Sequence, residues 1–405
     1  MRQSFVTDRR LAARVCVSLN RRNTTRMHFS FRARIRAAFA VMLMALAPVS
    51  DASAASKPFT RAEAARIIAN ARRIVNPGGI ERNEKVRIGG IDQWVSIRGR
   101  DTRNPVLLYV HGGPGYISMP MSWWFARGWD EYFTVVQWDQ RGSGKTYLLS
   151  NPAAVAPTLT RERMVADTEE MIRWLRATLH KKKIFVLGHS WGSYLGLEMA
   201  KRHPDWLHAY IGVGQLTDGP ESERRGWAAT LDAARRAGNT EAVRELQSIA
   251  PYFAPGHPSS LKDIYTQRKW LDHFGGVMAF RDGNDAESDL TKLSPDYTDA
   301  ELPDIWKGND FTEEHLLADA LALDLRVPKL DCPLILFAGR HDINVNSQVA
   351  AEWFATVQAP SKQFVWFENS AHLPMTEEPG KFLVSLVRYA RPIAERAGDA
   401  PPETR

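Results

Sequence analysis

Ser190 stands between two glycines in Gly188-His189-Ser190-Trp191-Gly192, and a serine so placed can attack a carbonyl carbon if the chain supplies it with a base. A hydroxyl is a poor nucleophile until an imidazole removes its proton, and that imidazole needs a carboxylate to fix its tautomer. The partners are sought downstream: Asp342 in Gly339-Arg340-His341-Asp342, and His372 in Ser370-Ala371-His372-Leu373-Pro374. The chemistry is acyl transfer, whose tetrahedral intermediate needs donors aimed at its oxyanion. One expected donor is the backbone N–H of Trp191. The other is sought in His111-Gly112-Gly113-Pro114-Gly115, where glycines let the loop pass close to substrate and Gly113 is the first candidate. His111 is expected to brace that loop by hydrogen bonding.

These residues need elements that hold them. The apolar run Ile184 to Leu187 precedes the serine and a helix-like stretch from Tyr194 to Ala200 follows it, so strand, tight turn and helix put the hydroxyl at the top of a sheet. Asp342 and His372 each lie just past an apolar strand, Leu334 to Ala338 and Phe364 to Phe367. Asp331 precedes its strand and would sit at the wrong end of the sheet, and His341 is too near Asp342 in sequence to be its base.

Upstream, Thr60-Arg61-Ala62-Glu63 reads as a capping box opening a helix to about Ile74. Val86 to Ile88 and Gln93 to Ile97 flank Gly89-Gly90 as a hairpin. Strands at Val106 to Val110, Thr134 to Gln137 and Ala209 to Val213 alternate with helical spacing at Met164, Met171, Ile172, Leu175 and Leu179. A helix from about Ser347 and a closing helix from Gly380 to Tyr389 complete the series. The pattern predicts an α/β fold, a mainly parallel sheet covered by helices on both faces. Between Gln215 and about Val327 the alternation gives way to a helix-rich, aromatic stretch, expected to be a cap domain inserted after the sixth strand. The expected organisation is a targeting segment over 1–55, core over 56–215, helical cap over 216–327, core again over 328–396, and a disordered tail over 397–405.

The net charge of +7 misleads. Ten of the 53 basic residues but only two of the 46 acidic ones precede residue 56. The rest is close to neutral, which excludes a nucleic-acid or anionic-membrane charge signature. The basic head, the apolar run Ala37 to Ala47 and Ala52-Ser53-Ala54 make the three parts of a secretory signal, with Met27 as its expected start. The run is too short to span a bilayer, so the expectation is an exported protein with no stable membrane anchor after cleavage. Of two cysteines only Cys332 would remain, and no internal disulfide could form.

Gly144-Lys145-Thr146 mimics the end of a phosphate-binding loop, but Asp139 stands where that loop needs glycine, and no helix is expected over Tyr147 to Pro152. Nucleotide binding is rejected. No His-Glu-x-x-His and no cysteine pair is present, so neither a metal nor a cofactor is expected.

Together, His111 to Gly115, Trp138 to Thr146, Gly188 to Ser193 and the His372 loop resemble the prolyl aminopeptidase (proline iminopeptidase) family of α/β hydrolases, over roughly residues 85–215 and 330–392. The resemblance implies an α/β-hydrolase fold, Ser190, Asp342 and His372 as catalytic triad, and Gly113 and Trp191 as oxyanion donors. It also implies release of an N-terminal residue, usually proline, from peptides. His189 departs from the family, which usually has glycine there. Family members hold the substrate's amino group with carboxylates from the cap and sometimes from the position after the triad acid, which here is Ile343. Glu221 and Glu223, opening the cap, are the candidates for that task. The rival expectation is a carboxylesterase, lactonase or amidase of the same fold acting on small molecules.

Overall fold

The computed structural model describes residues 58–257 and 259–401. The expected signal segment, with its apolar run and cleavage site, lies outside them. Eight strands form one sheet: β1 (Ile80–Ile88), β2 (Ile91–Gly99), β3 (Val106–Val110), β4 (Thr134–Asp139), β5 (Ile184–His189), β6 (Leu207–Val213), β7 (Leu334–Gly339) and β8 (Lys362–Phe367). Their order is β1-β2-β4-β3-β5-β6-β7-β8. β1 pairs antiparallel with β2 and β2 with β4, while every pairing from β4 through β8 is parallel. The central strands β3, β4, β5, β6 and β7 are buried at every residue, as a parallel sheet covered on both faces requires.

The hairpin turns on Gly89 and Gly90, both at positive φ (56° and 81°). Its strands run longer than the apolar pattern indicated, because β1 carries polar residues on an edge. A side chain on Gly89 would strike Asp167 and Arg141. Those two form a buried ion pair, Arg141 Nε to Asp167 Oδ2 at 2.8 Å, with Arg141 also reaching the Gly89 carbonyl at 2.7 Å. This clamp ties the hairpin to the loop after β4 and to the helix over Arg161–Thr178.

The helices that matter for the site are α1 (Arg61–Arg72), α2 (Arg161–Thr178), α3 (Trp191–Arg202), five between β6 and β7, namely α4 (Gly219–Arg236), α5 (Thr240–Ser248), α6 (Leu261–His273), α7 (Asp285–Lys292) and α8 (Lys307–Leu321), and α9 (Ser347–Thr356) after β7. The Thr60–Glu63 capping box forms reciprocally at the start of α1. One apolar cluster packs α2, α3 and α9 on one face of the sheet, and a second packs Trp129, Phe133, Phe382 and Leu386 on the other.

Three details differ from expectation. The closing helix is interrupted: Pro379–Ser385 passes through a wider turn over Leu386–Ala390 before Arg391–Arg396. Gly144–Leu148 does form a short helix. The lysine there is already engaged, with Glu301 at 3.0 Å and the rings of Trp94 and Tyr297 each at 4.9 Å. And the tail is docked as far as Pro401, because Asp399 accepts from Lys181 Nζ at 2.7 Å and contacts His208 Nε2 at 2.8 Å.

Candidate active site

The turn between β5 and α3 carries Ser190 at φ 52°, ψ −119°, a conformation a side chain adopts only under strain. Space for it comes from the flanking glycines. A Cβ on Gly188 would collide with the Gly192 carbonyl, and one on Gly192 with the carbonyl of Val110 at the end of β3. The spacing Gly-x-Ser-x-Gly therefore reflects two backbone approaches. Ser190 N–H donates to the Val213 carbonyl at 2.9 Å, fixing the elbow to β6.

Beyond β7, Asp342 is buried and its Oδ1 accepts from the backbone N–H groups of Asn344 (3.0 Å) and Val345 (2.9 Å). Its Oδ2 accepts from His372 Nδ1 at 2.9 Å. With the proton on Nδ1, the other ring nitrogen of His372 is left free to accept. Ser190 and His372 line one cavity of about 240 Å³. The structure thus brings Ser190, Asp342 and His372 to the carboxyl ends of β5, β7 and β8. It does not bring the two competitors there: Asp331 pairs with Lys329 at 2.6 Å, and His341 turns to the Glu368 carbonyl at 3.2 Å.

Gly112, Gly113 and Trp191 line the same cavity. Gly113 holds φ 109°. Among the described residues, neither the Gly113 nor the Trp191 backbone N–H donates within the protein, so both are available to an oxyanion. His111 braces this loop. Its Nδ1 donates to the Gly112 carbonyl at 3.0 Å, its Nε2 accepts from Gln140 N–H at 3.2 Å, and burial pulls its pKa down to about 4. Gln140 returns a bond to the His111 carbonyl at 2.9 Å and accepts from the Trp191 indole at 3.3 Å. The motif Asp139 to Thr146 is therefore scaffolding beneath the site.

The His372 loop has braces that sequence reasoning missed. Glu377 accepts from Ala371 N–H at 2.8 Å and Ala279 N–H at 2.6 Å, and Glu378 accepts from the Ser370 hydroxyl at 2.7 Å. His372 N–H donates to the Val277 carbonyl at 2.9 Å.

With that geometry in view, likeness to known proteins decides the family. The model of the alpha/beta hydrolase fold family matches residues 105–379, most of the chain. The chain belongs to the α/β hydrolases. This hydrolase is 29% identical over 313 residues to a protein of Bacillus subtilis (strain 168) named probable aminopeptidase YbaC, covering 76% of this chain and 96% of that protein. Among solved structures it resembles a proline iminopeptidase-related protein of Thermus thermophilus, with TM-score 0.55, 20% identity, and 78% and 99% of the two chains covered. It also resembles Est816, described as an N-acyl homoserine lactone degrading enzyme, with TM-score 0.51, 14% identity, and coverage of 76% and 100%. Both structural likenesses speak to the fold. The hydrolase is similar to prolyl aminopeptidases, as its motifs indicated.

The carboxylates facing the hydrolase's cavity are not those expected. Glu221 is taken by its own helix, with Arg225 Nε and Arg224 Nη2 each donating to it at 2.8 Å. Glu223 is buried but spent: Arg268 holds it through two guanidinium nitrogens at 2.5 and 3.0 Å, and the Tyr252 hydroxyl adds a bond at 2.8 Å. Neither lines the cavity. Glu287 of α7 and Glu313 of α8 do. Glu287 accepts hydroxyl bonds from Tyr116 (3.0 Å) and Thr376 (2.9 Å) and, among the described residues, pairs with no cation. Burial pushes its carboxyl up. Burial does the same to Glu313, which accepts from Tyr265 at 3.3 Å. Ile343 offers no charge; its side chain lies against Gly276.

Proposed function

We propose that this α/β hydrolase is a serine aminopeptidase that releases an N-terminal residue from short peptides. Ser190 attacks the scissile carbonyl, His372 takes the hydroxyl proton and returns it to the leaving amine, and Asp342 holds the imidazole. The Gly113 and Trp191 amides receive the oxyanion. Water, deprotonated by the same imidazole, then hydrolyses the acyl-enzyme.

The observation that carries the substrate class is Glu287, a buried carboxylate in the cavity of Ser190 that, among the described residues, accepts from hydroxyl donors and pairs with no cation. An isolated buried charge is expensive, and a protonated amine beside it recovers that cost, with Glu313 as a second acceptor. The likeness to a protein named as an aminopeptidase supports the same reading. The test compares an aminoacyl-naphthylamide with its N-acetylated counterpart. Cleavage of the free amine alone supports the proposal, and equal cleavage of both overturns it.

A second reading has its own support. The cavity walls Leu216, Val277, Leu317, Leu321, Val345 and Leu373 are apolar, as an esterase or lactonase acting on small acyl groups would need. It prevails if nitrophenyl esters turn over while every aminoacyl amide is inert.

The basic head and short apolar run further support export, with cleavage near Ala54 or Ala55. N-terminal sequencing of the protein recovered from its producing cell decides this. An intact Met1 or Met27 on the active protein refutes it.

A further inference from the structure

His189 precedes the nucleophile and replaces the glycine usual in the resembling family. It is buried, lines the cavity, and its ring stands 4.8 Å from that of His372, centroid to centroid. Its Nε2 donates to the backbone carbonyl of His372 at 2.9 Å. The His372 peptide is therefore gripped on both sides, its N–H by the Val277 carbonyl and its C=O by His189. On the other flank His189 abuts the oxyanion loop. A Cβ on Gly112 would lie 3.2 Å from His189 Nδ1 and 3.0 Å from Ser190 Cβ. One side chain thus touches the base loop and the oxyanion loop while covalently adjoining the nucleophile.

We infer that His189 is a positioning residue that fixes how far His372 reaches toward Ser190, acting on the backbone of the base as Asp342 acts on its ring. The inference rests on the serine-hydrolase reading above. A neutral imidazole suits the task. The carbonyl requires a proton on Nε2, which leaves Nδ1 without one. A second positive ring this close to His372 would oppose the imidazolium that forms during acylation. A misplacement of about 1 Å between base and nucleophile can cost about 100-fold in rate, so the bond acts on turnover and leaves substrate affinity alone. Glutamine at this position can still present an amide N–H to the carbonyl; phenylalanine fills the space without a donor.

The experiment compares wild type, His189→Gln and His189→Phe, with Ser190→Ala as control. Three quantities are read: kcat and KM, the rate of fluorophosphonate labelling, and the downfield proton resonance of His372 Nδ1–H on Asp342. The expected result is a fall in kcat and labelling of about 10- to 100-fold in His189→Phe with KM nearly unchanged. The downfield resonance should be broadened or displaced in that variant, and all three should recover substantially in His189→Gln. Unchanged kcat and an unmoved resonance in a folded His189→Phe overturn the inference, as does a loss borne equally by His189→Gln. Should Ser190→Ala keep its activity, the serine reading falls instead. The resonance, which needs no turnover, still decides whether His189 orders the base.

Discussion

Tyr116 donates its hydroxyl proton to Glu287 at 3.0 Å, joining the loop that carries Gly112 and Gly113 to α7, 171 residues further along the chain. The acidic group proposed to read the substrate's amine is thereby mechanically linked to the loop proposed to receive its oxyanion. Thr376, four residues beyond His372, holds the other oxygen of the same carboxylate.

Replacing Glu287 by Gln should cost amine substrates about 2 to 4 kcal/mol in transition-state binding, or roughly 30- to 1000-fold in kcat/KM, and leave nitrophenyl acetate almost untouched. The same change should raise Tm, since it removes a buried charge that has only hydroxyl partners. Glu221→Gln should alter neither activity, because that carboxylate serves Arg224 and Arg225. Parallel loss of amide and ester hydrolysis in Glu287→Gln would remove the amine-anchor role.

Ser190→Ala should lower turnover by about 10³-fold or more and abolish fluorophosphonate labelling, and Asp342→Asn should lower kcat by about 10⁴-fold while the protein stays folded. Circular dichroism checks the folding. Labelling that persists at another residue of Ser190→Ala contradicts the assignment.

Asp139 offers a test of stability against pH. It is fully buried, its Oδ2 accepts from Lys145 N–H (2.9 Å) and the Tyr297 hydroxyl, its Oδ1 has no partner among the described residues, and burial raises its pKa from 3.8 to about 7. A carboxyl whose pKa is higher folded than unfolded contributes stability below about pH 4, and that contribution is lost as pH rises toward 7. Urea unfolding between pH 5 and 7 should show a decline in the wild type, at most about 1.4 kcal/mol per pH unit from this group, that is shallower in Asp139→Asn. Identical slopes would show that Asp139 does not titrate in this range.

Two glycines make a matched pair. A Cβ on Gly339 would strike the carbonyl of Ala371, beside His372, whereas one on Gly380 meets nothing within 4 Å. Gly339→Ala should destabilise by about 1 to 3 kcal/mol and depress kcat through the displaced base loop. Gly380→Ala, inside a helix, should be neutral or stabilising by up to about 1 kcal/mol. Thermal melts and kcat of both variants check this, and equal behaviour would show that the loop is free to move aside.

The elbow, Asp342 and His372 were legible because their signals are local: an apolar strand, then a turn, with the functional residue just past the strand. That Gly112 and Gly113 would line the cavity was legible in the run of glycines. What α4, α7 and α8 present to the cavity depends on packing between helices far apart in sequence. The Glu223–Arg268 pair spans 45 residues and leaves no local trace. Asp285–Lys292 reads as a polar surface helix, yet Glu287 and Thr291, one turn apart, are buried. Glu221 could have been discounted, since Arg224 and Arg225 stand three and four residues on, where helical ion pairs form. The docked tail rests on Asp399, bonded to Lys181 and His208, and on the Pro401 carbonyl, bonded to Arg391, and no periodicity announces these partners.

Lys181 and His208 lie at the starting ends of β5 and β6, whereas Ser190 lies past the finishing end of β5. About six residues of strand, roughly 20 Å, separate the two ends. A surface, resin or fusion partner joined to the carboxyl terminus would thus meet the hydrolase on the side away from the cavity of Ser190. Tethered enzyme should accordingly keep the KM of the free enzyme, and the bond from Arg391 to the Pro401 carbonyl, followed by the Lys181–Asp399 ion pair, would bear the first of any load applied through the linker.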